Sequence, residues 1–167
     1  SNHISWLDII VIQSIKPSIF VAKSDVASWP LFGWVAHMTG TIFIKREKVS
    51  DIKKALKKMK RRLNKRSVCI FPEGTSTNGR YVLPFKSNLF QSSIDTNKAI
   101  LPICLRYEEH HHYSDKVAFI DDMSLVDSII KIKKENHITA ILEVLHPVRP
   151  RGNRKEIASY THEMIQK

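Results

Sequence analysis

The chain has 167 residues, a mass of 19.3 kDa and 43% apolar residues, which fits one domain around a sizeable core. Five glycines and seven prolines exclude a low-complexity or disordered composition. A net charge of +11 points to an anionic partner: nucleic acid, a phospholipid surface, or an acidic carrier or cofactor.

In chain order, Trp6 to Ile15 reads as a buried helix, too short to span a bilayer and interrupted by Gln13, Ser14 and Lys16. Ser18 to Ala22 reads as a strand, Pro30 to Met38 as a short helix and Thr41 to Ile44 as a strand. Ser50 to Arg66 is the clearest helix, because Val49, Ile52, Leu56, Met59 and Leu63 fall at steps of three and four and form one narrow apolar stripe. Ser67 to Phe71 is a continuous apolar strand, followed by a polar loop from Glu73 to Arg80. Lys86 to Thr96 reads as helix, and Ala99 to Arg106 and Val117 to Ile120 as strands. Leu125 to Lys134 reads as helix, Ile138 to Leu145 as strand and Asn153 to Gln166 as a closing helix. Alternating helical and strand periods mark an α/β or mixed-sheet protein, and no linker or repeat divides the chain. Cys69 and Cys104 sit in apolar runs, which predicts reduced thiols on neighbouring strands, in a reducing compartment. No signal peptide is visible, and the chain opens without a methionine directly on a motif, so a segment preceding it in the full protein is expected.

Three features suggest chemistry. The first is His3 five residues before Asp8. Within one continuous helix the two side chains would lie about 140° apart and could not meet. With His3 in the turn entering the helix and Asp8 in its first turns, an imidazole–carboxylate pair becomes possible. Such a pair suits general-base catalysis on a hydroxyl. The same spacing also fits a capping-box-like helix start. The second feature is Lys45-Arg46 directly after a strand; a guanidinium suits a phosphate monoester, which makes Arg46 the better clamp and Lys45 the lesser. Basic residues at a strand end are the plain alternative. The third is Phe71-Pro72-Glu73-Gly74-Thr75 at the carboxyl end of a strand, where ligands of open α/β sheets bind. Gly74 allows close backbone approach, and Glu73 and Thr75 offer an acceptor and a hydroxyl to a polyol. An ordinary strand exit would look similar.

Together and in this order, the blocks resemble the phospholipid/glycerol acyltransferase family, which includes the bacterial 1-acyl-glycerol-3-phosphate acyltransferases. The matching residues are His3 with Asp8, Arg46, Phe71 to Thr75, and Leu101-Pro102-Ile103. Trp29 to Gly33 and Pro84-Phe85-Lys86 are similar to the family's connecting sequence, and the resemblance runs to about Leu105. It implies an α/β fold with a mixed, largely parallel sheet covered by helices. It implies transfer of a fatty acyl group from acyl-CoA or acyl-acyl carrier protein to the hydroxyl of a lysolipid, first of all 1-acyl-glycerol-3-phosphate, giving phosphatidic acid. No cofactor or metal is implied. By resemblance, His3 is the general base, Asp8 its orienting partner and Arg46 the phosphate clamp. Glu73 and Gly74 line the glycerol site, and Pro102 shapes the site wall or acyl pocket. The expected location is the cytoplasmic face of a membrane, the bacterial inner membrane, held peripherally or by a segment outside this chain. Two departures bear on the acceptor: Ser76 and Thr77 stand where many members carry an Arg after Thr75, and Asn88 stands where relatives often have Gly. Arg80, in the same loop, is a candidate substitute. A lyso-ornithine lipid therefore stays open as acceptor, as does a catalytically silent lipid- or polyanion-binding module.

From Lys45 to Arg66 twelve Lys or Arg stand against two acids, Glu47 and Asp51. A solvated helix face explains part of this, but such faces usually mix signs, so an anionic headgroup, CoA or an acidic carrier is the expected partner. Nucleic acid is not expected, since no aromatic-interleaved basic motif or zinc spacing accompanies the charge. His110-His111-His112 reads as an exposed connection rather than a metal site. Trp29, Phe32 and Trp34 fit either a lipid-dipping patch or the core.

Overall fold

The computed structural model describes residues 1–29, 32–45 and 49–166. A turn closed by the Asp8 N–H to Ser5 O bond leads into α1 (Leu7–Ile15). Only its inner face is covered. Ile12 packs with Phe20 and Phe71, whereas Ile10 and Ile15 face outward at 53% and 59% exposure. The fully buried helix expected from the apolar run is corrected to a half-buried one, because the sheet reaches α1 from one side.

β1 (Ile19–Lys23) is the centre of a parallel sheet, with β2 (Ile42–Ile44) on one side and β3 (Val68–Cys69) on the other. Val21 lies opposite Ile42 and Phe20 opposite Cys69. Between β1 and β2 run a 3-10 turn (Ser24–Ser28) and α2 (Phe32–Met38); Pro30, the expected helix start, lies outside the described residues. α3 (Val49–Leu63) returns from β2 to β3. Its stripe works as the periodicity predicts: Ala55 and Met59 are buried against Ile19, Val21, Ile42 and Ile44, with Leu56 at the margin. The strands are continuous apolar runs because the sheet is covered.

The second sheet is antiparallel. β4 (Ile103–Glu109) pairs with β5 (His112–Tyr113) and β6 (Thr139–Val144). His110 and His111, with φ of 49° and 66°, make the two-residue turn between β4 and β5. This hairpin carries β4 beyond the expected end at Arg106. Mixed α/β architecture is thus as expected, with three parallel strands and three antiparallel ones among the described residues. Cys69 and Cys104 fall on β3 and β4, which belong to different sheets, so the expected neighbouring pairing is corrected; both thiols are free and pushed up by burial.

Val117 to Ile120, expected as a strand, has none. Its side chains are core, Val117 and Ala118 being 1% exposed, but its backbone bonds are local or single: Ala118 N–H to Asp115 O, and Phe119 N–H to Ile4 O. The apolar run recorded burial, not a ladder. Lys86 to Thr96 divides into a 3-10 turn (Ser87–Phe90) and α4 (Gln91–Thr96). α5 (Leu125–Lys133) begins at the Ser124 cap, and α6 (Arg154–Gln166) at Asn153, whose side chain accepts from Lys155 and Glu156.

The amino-terminal residues bridge the sheets. Asn2 donates from Nδ2 to Leu105 O and accepts the Leu105 N–H at Oδ1, both at 2.8 Å, as a neighbouring strand would. This bridge brings His3 to the carboxyl end of β3.

Candidate active site

His3 occupies the entry segment before α1, and Asp8 is the second residue of α1. The chain turns between them, which removes the 140° separation of a continuous helix. His3 Nδ1 lies 2.8 Å from Asp8 Oδ2. Because Oδ2 can only accept, Nδ1 is the donor of this contact and the ring's lone pair is left on Nε2. Asp8 is fully buried while the His3 side chain is 22% exposed, so the dyad opens to solvent through the imidazole alone.

Asp8 Oδ2 also accepts the N–H of Ile4 at 2.7 Å and of Ser5 at 3.0 Å. Ser5 Oγ in return accepts the Leu7 N–H at 3.4 Å. The two readings of the spacing are therefore both true: Asp8 reaches back to close the helix start and the same oxygen holds the imidazole. Asp8 Oδ1 accepts the Tyr107 hydroxyl at 2.8 Å, across 99 residues of sequence. His3 stacks on Phe71, with ring centroids 4.0 Å apart and planes inclined by 16°.

The Phe71–Thr75 block meets the dyad from the side. Glu73 is 2% exposed and both its oxygens are occupied, Oε1 by the His3 N–H at 2.6 Å and Oε2 by the Leu83 N–H at 2.8 Å. Burial pushes this carboxyl above its ordinary range, and the Leu83 and His3 amides pull it back. Gly74 turns the chain at φ 84°, a left-handed conformation that favours glycine. Thr75 is exposed on the loop rim. Thr77 is buried, and its N–H donates to His3 O at 2.9 Å. His3 is thus held at its N–H by Glu73 and at its carbonyl by Thr77.

The other expected residues are more dispersed. Lys45 is exposed just past β2, at the same carboxyl edge of the parallel sheet, and Arg46 lies outside the described residues. Arg80, the candidate substitute, stacks over Tyr113 at 4.9 Å and approaches Asp115 at 3.6 Å. Pro102 is buried on the wall of a cavity of about 490 Å³, which Val68, Ile70 and Pro72 also line and which neither His3 nor Asp8 touches.

Asn2, Phe71, Thr77 and Tyr107 complete the site without having been assigned roles from sequence. For Tyr107 a signal existed: alternation of Ile103, Leu105 and Tyr107 turns all three inward, and a buried phenol needs a partner. Nothing in the sequence said that the partner was Asp8.

Comparison with known proteins shows the family. The Acyltransferase family model matches residues 1–106, and the chain belongs to that family. The lyso-ornithine lipid O-acyltransferase of Pseudomonas aeruginosa is 29% identical over 168 residues, covering 99% of this chain and 65% of that protein. The 1-acyl-sn-glycerol-3-phosphate acyltransferase of Neisseria gonorrhoeae is 40% identical over 108 residues, covering 64% of this chain and 42% of that protein. The crystal structure of the 1-acyl-sn-glycerophosphate (LPA) acyltransferase PlsC from Thermotoga maritima shares the fold, with a TM-score of 0.67 and 23% identity over 99% of this chain and 61% of that one. The chain therefore spans about two thirds or less of the length of these proteins.

Proposed function

We propose that the protein transfers a fatty acyl group from acyl-CoA or acyl-acyl carrier protein to the hydroxyl of a lysolipid, with 1-acyl-glycerol-3-phosphate as acceptor and phosphatidic acid as product. The observation behind this reading is the His3–Asp8 dyad, with Nδ1 tied to a buried carboxylate and the imidazole itself partly exposed. Nε2 takes the proton of the acceptor hydroxyl as its oxygen attacks the thioester carbonyl. The tetrahedral intermediate then expels the thiolate, which recovers the proton from the imidazolium that Asp8 has stabilised. Lys45 and Arg46 hold the acceptor phosphate, Gly74 and Thr75 border the glycerol, and Pro102 shapes a cavity wall without touching the acceptor. Glu73, with both oxygens occupied by amides, orients His3.

A second acceptor, a lyso-ornithine lipid, is favoured by one observation. Ser76 and Thr77 follow Thr75, where the resemblance leads one to expect an Arg; Ser76 donates to Phe119 O and Thr77 holds the His3 carbonyl, so these two positions offer the headgroup no charge. A mass-spectrometric screen of the full-length protein with both donor types and a panel of lysolipids separates the two. Arg46→Ala should raise the apparent KM for lysophosphatidic acid more than that for the acyl donor, and Arg46→Lys should restore only part, because a point charge replaces a fork. Equal changes in both KM values would remove the clamp role. Turnover of lyso-ornithine lipid without turnover of lysophosphatidic acid would replace the acceptor.

The membrane surface is the proposed location. Among the described residues no helix is long and apolar enough to cross a bilayer. On α3, Lys53, Lys54, Lys57, Lys58, Arg61 and Arg62 are exposed, opposite the buried stripe. Lys54 contacts Asp51 and Lys60 pairs with Asp95, which leaves most of this face to an external anion. Because α3 runs from the carboxyl end of β2 to the start of β3, its charge extends away from the dyad and suits a broad surface better than a single pocket. The aromatic residues divide: Trp29 packs edge-on against Phe119, whereas Trp34 is 63% exposed with Met38 one turn on. Only the second pair can dip into lipid; the Phe32 side chain lies outside what is described.

Each cation near an anionic bilayer contributes about 1 kcal/mol, and 1 M salt shortens the screening length to about 3 Å. Reversal of Lys57, Lys58, Arg61 and Arg62 to Glu should therefore weaken binding to anionic vesicles and activity on vesicle-borne lysolipid. Activity on a soluble short-chain acceptor should be largely spared. Unchanged vesicle binding with a raised acyl-CoA KM would assign the helix to the donor.

A further inference from the structure

We infer that Tyr107 is a positioning residue of the acyl transfer: its hydroxyl fixes the Asp8 carboxylate against His3 and moderates the negative charge that the imidazole meets. The inference rests on the reading of His3 as the base.

Four donors converge on Asp8, and they divide unevenly. Oδ2 receives His3 Nδ1 and the amides of Ile4 and Ser5, while Oδ1 receives Tyr107. The first three come from the chain segment that Asp8 itself terminates, so they move with it. Tyr107 comes from β4, at the centre of the antiparallel sheet, and ties the Asp8 carboxylate to that sheet, as Phe71, Glu73 and Thr77 tie His3 to the chain after β3. It is 1% exposed, packed with Ile4, Leu105 and Val117. Two residues earlier the Leu105 backbone grips Asn2. One strand therefore holds the His3 segment at both ends, immediately before the imidazole and at its carboxylate partner. Without the hydroxyl, Oδ1 would be a buried acceptor lacking the Tyr107 donor, and only the three donors on Oδ2 would hold the carboxylate's orientation.

The hydroxyl also acts electrostatically. Burial, with the Asp8 charge adding to it, pushes the phenol far above its ordinary value, so it remains a protonated donor throughout the working range. A donor on Oδ1 withdraws charge from the carboxylate and weakens its hold on an imidazolium. The other groups facing the dyad are Glu73 from the loop after β3, Cys69 on β3 and the amino group of Ser1. None of them donates to Oδ1 among the described contacts.

The sign of the expected effect follows. Deleting the hydroxyl leaves more negative charge for His3, which then keeps its proton to higher pH. In the full-length protein, Tyr107→Phe should displace the NMR titration of carbon-13-labelled His3, assigned by its loss in His3→Ala, upward by roughly half to one pH unit. The acid limb of the pH–rate profile, measured with acyl-CoA and lysophosphatidic acid, should move with it. The plateau turnover should fall about tenfold, through kcat rather than through either KM. Val117→Ala, in the same cluster, should lower the Tm and move neither curve. Should Tyr107→Phe fold poorly, 3-fluorotyrosine at position 107 keeps the ring in the core and offers a stronger donor, which should move both curves downward. Unmoved His3 titration in the folded Tyr107 variants overturns the inference. The NMR arm needs no substrate, so failure of the acyltransferase reading would show in the rate arm alone.

Discussion

His3→Ala should lower turnover by about 10²–10⁴-fold while the domain stays folded. The side chain is partly exposed, and its packing is the stack on Phe71, worth about 0.5–1.5 kcal/mol. Its main-chain bonds to Glu73 and Thr77 survive the substitution. Asp8→Asn should be comparably severe for turnover yet also folded. An asparagine can present its oxygen to His3, Ile4 and Ser5 and donate its amide to Tyr107, whose hydroxyl then accepts. What is lost is the anion that fixes the tautomer and stabilises the imidazolium, and the same replacement costs about 10⁴ in the serine-protease triad, there through the wrong tautomer. Asp8→Ala differs in kind, since it strands several buried donors at about 1–3 kcal/mol each and should unfold at markedly lower temperature. Circular dichroism and turnover measured on the three variants check this order. Near-normal turnover in folded His3→Ala or Asp8→Asn would remove the dyad from the mechanism.

Glu73→Ala should reduce kcat by about 10²-fold with little change in acceptor KM, because a small displacement of the base is enough for such a loss. Its two oxygens hold the His3 and Leu83 amides, so the variant leaves two partly buried N–H groups unpaired and should lose about 2–6 kcal/mol of stability. Glu73→Gln should not restore it fully, since one of the two amides would then face an NH₂ donor. Steady-state kinetics beside a thermal melt decide the question. A rise in acceptor KM with kcat and stability intact would return Glu73 to direct contact with the glycerol.

Sequence periodicity served well where an element's own face was at issue. Of the predicted stripe of α3, Met59 is buried and Ile52, Leu56 and Leu63 are partly buried, with Ala55 joining them in the core and most of the cations outside. The apolar strands at Ile19 and Ile42 are core. It served poorly where burial and hydrogen bonding part company. Val117 to Ile120 is as apolar and as buried as a strand, yet its amides pair with Asp115 and Ile4. The β5 hairpin was hidden because His110 and His111 hold the positive φ that glycine or asparagine usually announces.

Legible in the chain alone were most of the helices and strands, the outward charge of α3 and the order of the blocks from His3 to Pro102. Each of these is written in residues close together in the chain. Only the tertiary structure decided that His3 meets Asp8 in a turn, that Glu73 faces inward to two amides, and that Tyr107 closes the carboxylate from a strand 99 residues away. Apolar burial is non-directional, so it leaves a period in the sequence. A buried polar atom instead needs one partner at about 2.8 Å, and the chain's path through space selects that partner.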